Sequence, residues 1–253
     1  AGSAPEPPGG ATPPRAGSPH RRERPASAVH RSGFAALPEL APLGCGEANL
    51  APHSLPAEAL CFEPPEGAVL TRFRNGDAER KIYCNRELSA PEAECLQALR
   101  QRAAAEGASF FPSVISMAPR FVSRSRNDAG KALSLMQATQ RWRAEYFQAG
   151  PVRDVDIQED MRHGIVYFSG RDECMRPAMI IRPRRIPAQW YRDKCVNRFV
   201  KMLIWCMEYF LRYMVVPGKV ENLSVIVDLD GLGIGQVPLG HLREVYTVMS
   251  HHY

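Results

Sequence analysis

The feature that most constrains this chain is a helix, predicted at residues 189–215, that is apolar around most of its circumference. A helix at a protein surface has one apolar stripe, whereas a helix that is apolar on most sides must be covered on several of them. Glu208 and Arg212 interrupt its densest part, Met202–Met214, so this run does not have the length or apolarity needed to cross a bilayer. The rest of the fold must therefore enclose this helix.

A nearly uninterrupted apolar run follows at residues 223–229, broken only by Ser224 and Asp228. Such a run is typical of a strand buried on both faces, and we predict a central strand here. Two further apolar runs, Ile165–Phe168 and Ala178–Ile181, flank a turn and predict a β-hairpin ahead of the helix. This order of strands and helices is that of an α/β protein.

The part of the chain before these strands is predominantly helical. A capping-box sequence begins a predicted helix at residues 89–106, and apolar residues at a spacing of three to four predict another at about 128–147. An Asn-Gly-Asp turn within residues 68–84 predicts a short hairpin. We therefore assign residues 61–150 to a hairpin and a small helical lobe, and residues 151–253 to a second domain.

Residues 1–60 contain half of the 22 prolines of the chain and no Trp or Tyr. Gly, Ala and Ser fill most of the rest, and five arginines balance five glutamates. A segment of this composition buries too little apolar surface to offset the entropy of ordering it. We predict a disordered Pro-rich tail, whose polyproline segments would be available to a partner protein.

Several function classes are disfavoured. The net charge of +5 is too small for a nucleic-acid footprint, and the seven cysteines show neither a C-x-x-C pair nor zinc spacing, which predicts a reducing, cytoplasmic compartment without a metal site. The glycine-rich loop 231–235 follows a strand but has neither the spacing nor the length of a dinucleotide loop. Asp228 and Asp230 are interpreted as turn carboxylates. We therefore predict no cofactor and no enzymatic activity.

An arginine-rich group lies around the end of the second predicted hairpin strand. It is a candidate seat for a phosphate-bearing headgroup or an anionic membrane surface, and the alternative is an ordinary solvated loop. The predicted contacts are Arg176, Arg182, Arg184 and Arg185.

Three separate segments together resemble the CRAL-TRIO family. Residues 120–143 are similar to its helical N-terminal lobe, where an R-F-L-R-A-R segment precedes D-x-x-K-A and L-x-W-R. Residues 165–177 are similar to its first strand and G-x-D-x-x-G-R-P turn, and residues 223–233 to its strand V-D-L-x-G-x-G. A final helix ends at His252-Tyr253, where the family continues into Y-P-E-R. The order and spacing of these motifs carry the resemblance, which covers residues 111–253.

The resemblance implies a CRAL-TRIO-like α/β fold, with a mixed sheet and flanking helices around an apolar pocket for one phospholipid or other hydrophobic ligand. Members that bind phosphatidylcholine carry hydroxyls where this chain has Leu223 and Val225, so phosphatidylinositol or a related anionic lipid is the first expectation. Strand alternation and the apolar helix indicate the pocket-lining residues, which are Met179, Ile181, Met202, Trp205, Tyr209, Val225 and Val227.

The last third of the family's domain, including its mobile gate helix, would follow Tyr253. The resemblance therefore implies either a fragment of a longer lipid-transfer protein or a degenerate copy that retains ligand weakly, with an apolar patch facing water. We expect lipid binding and transfer by a cytoplasmic, peripherally membrane-associated protein. An interaction or scaffold domain that keeps the fold without the ligand is the alternative, and a nucleotide-dependent enzyme is the third hypothesis.

Overall fold

Two large apolar cores organise the computed structural model of the protein. One core lies among the helices of the first half, and the other lies between a three-stranded sheet and the helices of the second half. The fold is mixed α/β, as the sequence predicts. The structure describes residues 33–41, 43–44, 55–195, 197–232 and 239–253.

The elements of both halves follow in chain order. The first half of the described chain contains β1 (Ala35–Ala36), β2 (Leu43–Gly44), α1 (Ala57–Cys61), α2 (Glu66–Val69), β3 (Leu70–Arg72), β4 (Ala78–Arg80), α3 (Ala90–Ala105), β5 (Ser109–Phe110), α4 (Pro112–Ser116), α5 (Ala118–Arg124) and α6 (Ala129–Tyr146). The second half contains β6 (Val152–Arg153), a 3-10 turn (Asp154–Asp156), α7 (Gln158–Met161), β7 (Val166–Arg171), β8 (Pro177–Ile181), a second 3-10 turn (Pro183–Arg185), α8 (Ala188–Arg192), α9 (Asn197–Tyr209), a π-helical turn (Phe210–Met214), β9 (Ser224–Val227) and α10 (Leu239–His252).

The helical lobe forms where its local start signals predict. The amide and hydroxyl of Ser89 both donate to the Glu92 carboxylate at 2.8 Å, which begins α3, and the Asp128 carboxylate accepts the Lys131 amide at 2.9 Å, which begins α6. Both predicted helices are confirmed. The hairpin of β3 and β4 is confirmed as well, with Gly76 in its turn at a φ of 87°.

The sheet of the second half has the strand order β7-β8-β9. Strands β7 and β8 pair antiparallel, which confirms the predicted hairpin, and β9 pairs with β8 in parallel. Helix α9 covers one face of this sheet, since the rings of Phe168 in β7 and Tyr209 in α9 lie 6.3 Å apart. The predicted apolar helix thus packs on the predicted sheet.

Two predictions about this half are wrong. The helix predicted at residues 189–215 is broken, because α8 ends at Arg192 and Lys194 takes a left-handed φ of 55°. Trp190 in α8 and Phe199 in α9 are buried in the same core, so the apolar pattern continues across the break and does not reveal it.

The strand predicted as central and doubly buried is the second correction. Among the described residues β9 pairs only with β8, so it lies at an edge of the sheet. Its residues Val225, Ile226 and Val227 are 48%, 52% and 48% exposed. A continuous apolar run predicts a strand, but it does not specify how many neighbours cover it.

The sequence predicts disorder for residues 1–60, and this prediction is wrong for residues 33–41 and 43–44. We call these residues the N-terminal strap. Strand β1 pairs in parallel with β5, and β2 pairs in parallel with β6. Leu40 packs against both large cores, and the Glu39 carboxylate accepts the amide and hydroxyl of Ser113 at 2.6 and 2.9 Å. Residues 57–61 also form α1, whereas 1–32, 42 and 45–54 lie outside the described residues.

A buried ion pair joins the helical lobe to the second half, and we call its surroundings the lobe junction. Arg143 in α6 donates to both carboxylate oxygens of Glu208 in α9, at 2.7 and 3.1 Å, and the Tyr253 hydroxyl donates to the same carboxylate at 2.6 Å. Burial alone would lower the pKa of Arg143, but the hydrogen bonds and charge of Glu208 outweigh burial and raise it. Nearby, the rings of Trp142 and His252 stack 4.4 Å apart.

Replacing Arg143 with Met leaves Glu208 buried without its cation. We expect this variant to lose about 3–5 kcal/mol of unfolding free energy, measured by urea denaturation. The Arg143→Met/Glu208→Leu double variant should lose less than the single variant. Arg153→Ala, which removes an exposed pair with Asp156, should change the unfolding free energy far less than Arg143→Met does. Additive losses in the double variant would contradict the buried coupling.

Acidification tests the same junction. The pKa of His252 is lowered to about 4 from its ordinary 6.5, mainly because the ring is buried. The nearby charges of His251, Arg124 and Arg143 lower it further. Between these values the unfolded chain binds a proton that the folded one does not, so the contribution of His252 to stability falls as the pH drops from about 6.5 towards 4. Urea denaturation across this range should show that the unfolding free energy of His252→Gln depends less on pH than that of the unaltered chain. Equal dependence in the two proteins would contradict this role of His252.

Candidate functional site

The candidate site is the apolar face of the sheet that points towards α9. Residues paired in register across neighbouring strands project to the same face. Two apolar rows therefore cross the sheet from β7 through β8 to β9 on this face. They are Phe168–Met179–Val225 and Val166–Ile181–Val227.

Coverage of these rows decreases from one side of the sheet to the other. Val166 and Met179 are fully buried and Ile181 is 9% exposed, whereas Val225 and Val227 are each 48% exposed. Leu229, just after β9, is exposed as well. The apolar face is thus closed over β7 and β8 and open at β9.

Helix α9 and the turn after it carry a row of aromatic rings. Trp205 stacks on Tyr209 with ring centroids 5.0 Å apart, and Tyr209 meets Tyr213 at 4.9 Å. The sequence predictions include Trp205 and Tyr209 but not Tyr213. The spacing of four residues, which places side chains on one face of a helix, is the signal that would have found it.

Trp205 also carries an unpaired polar atom. Its indole Nε1 is buried, and the N–H has no hydrogen-bond partner among the residues that the structure describes. A buried donor without a partner is uncommon in folded proteins and costs free energy. The arrangement therefore offers a hydrogen bond to an acceptor atom of a molecule bound beside α9.

The structure divides the seven residues predicted to line a pocket into three groups. They share the helix–sheet layer, and the residues of β8 and β9 among them share one face, as strand alternation predicts. Four are buried in the core: Met179, Ile181, Met202 and Tyr209. Trp205 is half-buried against that core, and the exposed members are Val225 and Val227.

The four predicted headgroup arginines do not converge. Arg176 precedes β8, whereas Arg182, Arg184 and Arg185 follow it, so the length of the strand separates them. Arg176 donates to Asp172 at 2.8 Å, and Asp172 also accepts the Ser224 hydroxyl at 2.7 Å. Arg176 therefore takes part in a turn at the opposite end of the strand.

The hydrogen bonds at this turn set the charge of Asp172. Burial alone would raise the pKa of Asp172, but hydrogen bonds from Ser224 and Arg176 outweigh burial and lower it. The carboxylate is thus held ionised between its two donors, which leaves Arg176 committed to a structural pair.

The other three arginines lie beside the open end of the apolar face. Arg182 is 3.3 Å from the Asp228 carboxylate, and its guanidinium lies over the Tyr167 ring at 5.4 Å. Arg184 is 3.9 Å from Asp230, and Arg185 is exposed. Basic side chains therefore border the exposed residues at the end of β9.

The Asp228 carboxylate at this end has the role that the sequence predicts. Asp228 accepts the Asp230 amide at 3.1 Å, as a turn carboxylate does. In the predicted glycine-rich loop, Gly233 and Gly235 lie outside the described residues. No set of three His, Cys, Asp or Glu residues in the described part of the chain could hold a metal ion. None of the described helices is long and apolar enough to cross a membrane.

Comparison with known proteins identifies the part of the chain that holds this sheet and α9. Residues 161–253 match the family model described as the CRAL/TRIO domain. A search of curated proteins found no match. The matched segment contains both apolar rows, the aromatic row of α9 and all four predicted headgroup arginines.

Truncating a covered and an open side chain of one apolar row tests the difference in coverage. Met179→Ala removes a fully buried side chain and should cost about 2–5 kcal/mol of unfolding free energy. Val225→Ala removes a half-exposed side chain of the same row and should cost less than about 1 kcal/mol. Both values are measured by urea denaturation, and equal losses would show that β9 is enclosed.

Proposed function

We propose that this protein binds a phospholipid of the phosphatidylinositol class and carries it between membranes. The proposal is supported by the match of residues 161–253 to the CRAL/TRIO domain, a type of domain that binds lipids and other hydrophobic ligands. The observation that carries the proposal is the apolar face that runs from the core to the open side of β9. An acyl chain laid against Val225 and Val227 extends a surface that is already apolar. Each methylene group buried contributes about 0.8 kcal/mol.

The unpaired indole N–H of Trp205 supports a ligand that carries an acceptor as well as a hydrocarbon chain. A phospholipid has ester carbonyls between its headgroup and its acyl chains. In a buried site, a carbonyl that accepts from Trp205 would replace a missing hydrogen bond. A simple hydrocarbon offers no such atom, so this donor favours an ester lipid.

Arg182, Arg184 and Arg185 support an anionic headgroup and contact with a membrane surface. They border the open end of the apolar face, where a headgroup would emerge into solvent. Each basic residue near an anionic bilayer contributes about 1 kcal/mol of attraction. We propose a peripheral, transient membrane contact at the cytoplasmic side, and an activity of capture and release without catalysis.

A second candidate function is favoured by one observation. Met179 and Met202, both predicted to line a pocket, are fully buried in the core cluster of this half. A domain whose interior is filled by its own side chains would act as an interaction or scaffold module. The Pro-rich residues 1–60 would then contribute the partner-binding segments.

Lipid extraction and transfer measurements separate the two candidates. The full chain, purified from cells, should release phosphatidylinositol-class lipid that mass spectrometry identifies, and it should accelerate the movement of labelled phosphatidylinositol between vesicles. Trp205→Phe keeps an aromatic ring but lacks the N–H, and it should retain ester lipid about three- to tenfold more weakly.

Trp190→Phe, the same substitution at a core residue of α8, is the matched control and should leave lipid retention unchanged. Urea denaturation of both variants verifies that they remain folded. A lipid-free protein that does not transfer lipid, yet binds a protein partner through the same domain, would reject lipid carriage and support the scaffold function.

A further inference from the structure

A second candidate binding surface lies on the helical lobe, outside the segment that matches the CRAL/TRIO family. It is an open cleft of about 690 Å³ at the corner where α5 ends and α6 begins. This volume is within the range of ligand-binding clefts, about 300–1,000 Å³. Its walls are Arg124, Ser125, Arg126, Gly130, Lys131, Ser134 and Leu135.

The charge of this cleft is uncompensated. Arg124 and Arg126 are exposed, and neither forms an ion pair with a described residue. The carboxylate nearest to them in sequence, Asp128, is engaged by Lys131, whose amide donates to it at 2.9 Å and whose Nζ lies at 3.5 Å. Arg102, at the end of α3, reaches the same corner, since its guanidinium lies 3.6 Å from where a Gly130 side chain would begin.

Two exposed arginines elsewhere on the described surface show the contrast with a paired charge. Arg153 pairs with Asp156 and Arg162 pairs with Glu159, each across three residues of its own segment at 2.8 Å. Each of these two charges is neutralised by a carboxylate one helical turn away. The cleft between α5 and α6 instead concentrates positive charge, which attracts an acidic partner and orients its approach.

The uncharged groups of the cleft specify what kind of acidic partner fits. The hydroxyls of Ser125 and Ser134 donate to carbonyls of their own helices, at 2.9 Å to Val122 and 3.1 Å to Gly130. Their oxygens are therefore left as acceptors. Leu135 adds a half-buried apolar surface. A ligand that complements all three kinds of group carries carboxylates, N–H donors and an apolar side chain.

A polypeptide has these three features, whereas an ionised phosphate has only acceptors. We propose that this cleft docks an acidic polypeptide segment, whose carboxylates bind Arg124 and Arg126 and whose apolar side chain contacts Leu135. Arginine suits this role because its planar guanidinium binds a carboxylate through two parallel hydrogen bonds. The surface would bring a partner protein to the helical lobe while the other half of the chain acts separately.

Fluorescence anisotropy of a labelled synthetic peptide, with leucines set among glutamates, tests this docking on the full chain. The peptide should bind, and its affinity should fall as salt concentration rises. Arg124→Glu/Arg126→Glu should weaken binding about tenfold or more. Replacing the leucines of the peptide with serines should weaken binding about threefold or more, because the contact with Leu135 is lost.

Arg72→Glu/Arg74→Glu is the matched control, because it makes the same change of charge at two exposed arginines on the β3–β4 hairpin. It should leave the affinity within about twofold of that of the unaltered chain. Circular dichroism verifies that both double variants are folded. If Arg124→Glu/Arg126→Glu is unfolded, Arg124→Gln/Arg126→Gln is used in its place.

Three results would overturn the proposal. In the first result, the peptide does not bind. In the second, both double variants weaken peptide binding equally, which would indicate only a long-range effect of charge. In the third result, inositol hexakisphosphate or anionic vesicles bind at Arg124 and Arg126 while the peptide does not displace them, which would assign the cleft to phosphate groups. None of these results bears on lipid carriage by residues 161–253, so the two proposals fail separately.

Discussion

The buried ion pair between Arg143 and Glu208 fixes how the two halves of this molecule sit together. Each partner belongs to a different helix, α6 or α9, and the Tyr253 hydroxyl completes the carboxylate's hydrogen bonds. Taking two charges out of water is expensive unless they meet in good geometry, so the pair tolerates little displacement of α6 against α9. The position of α9, and with it the apolar face of the sheet, is therefore tied to the helical lobe.

The sequence predicts well those elements whose signals are local. Helices α3 and α6 begin at capping residues that act within one turn, and β7 and β8 are joined by a short turn. The order of three motifs also predicts the resemblance to the CRAL-TRIO family, and that family's model matches residues 161–253. These features depend on neighbours a few residues away, which a single sequence displays.

The features that the sequence does not predict depend on distant partners. Whether β9 is covered depends on which strands lie beside it, and an apolar run contains no such information. The arginines around β8 look like one cluster in the sequence, yet an extended strand separates Arg176 from the other three. The high proline content of residues 1–60 predicts disorder, but Leu40 and Leu43 in the N-terminal strap pack against apolar surfaces that exist only in the folded chain.

The N-terminal strap has a consequence for the order of assembly. Its bond between Glu39 and Ser113 joins residues that lie 74 positions apart, and Leu40 rests on both cores at once. Such a segment gains no contacts until both surfaces beneath it have formed, and closing so long a loop early is entropically unfavourable. It therefore docks last during folding and detaches first when either half loosens. Amide exchange at Leu37, which donates to the Phe110 carbonyl, therefore reports the detachment of the strap and precedes the opening of either core.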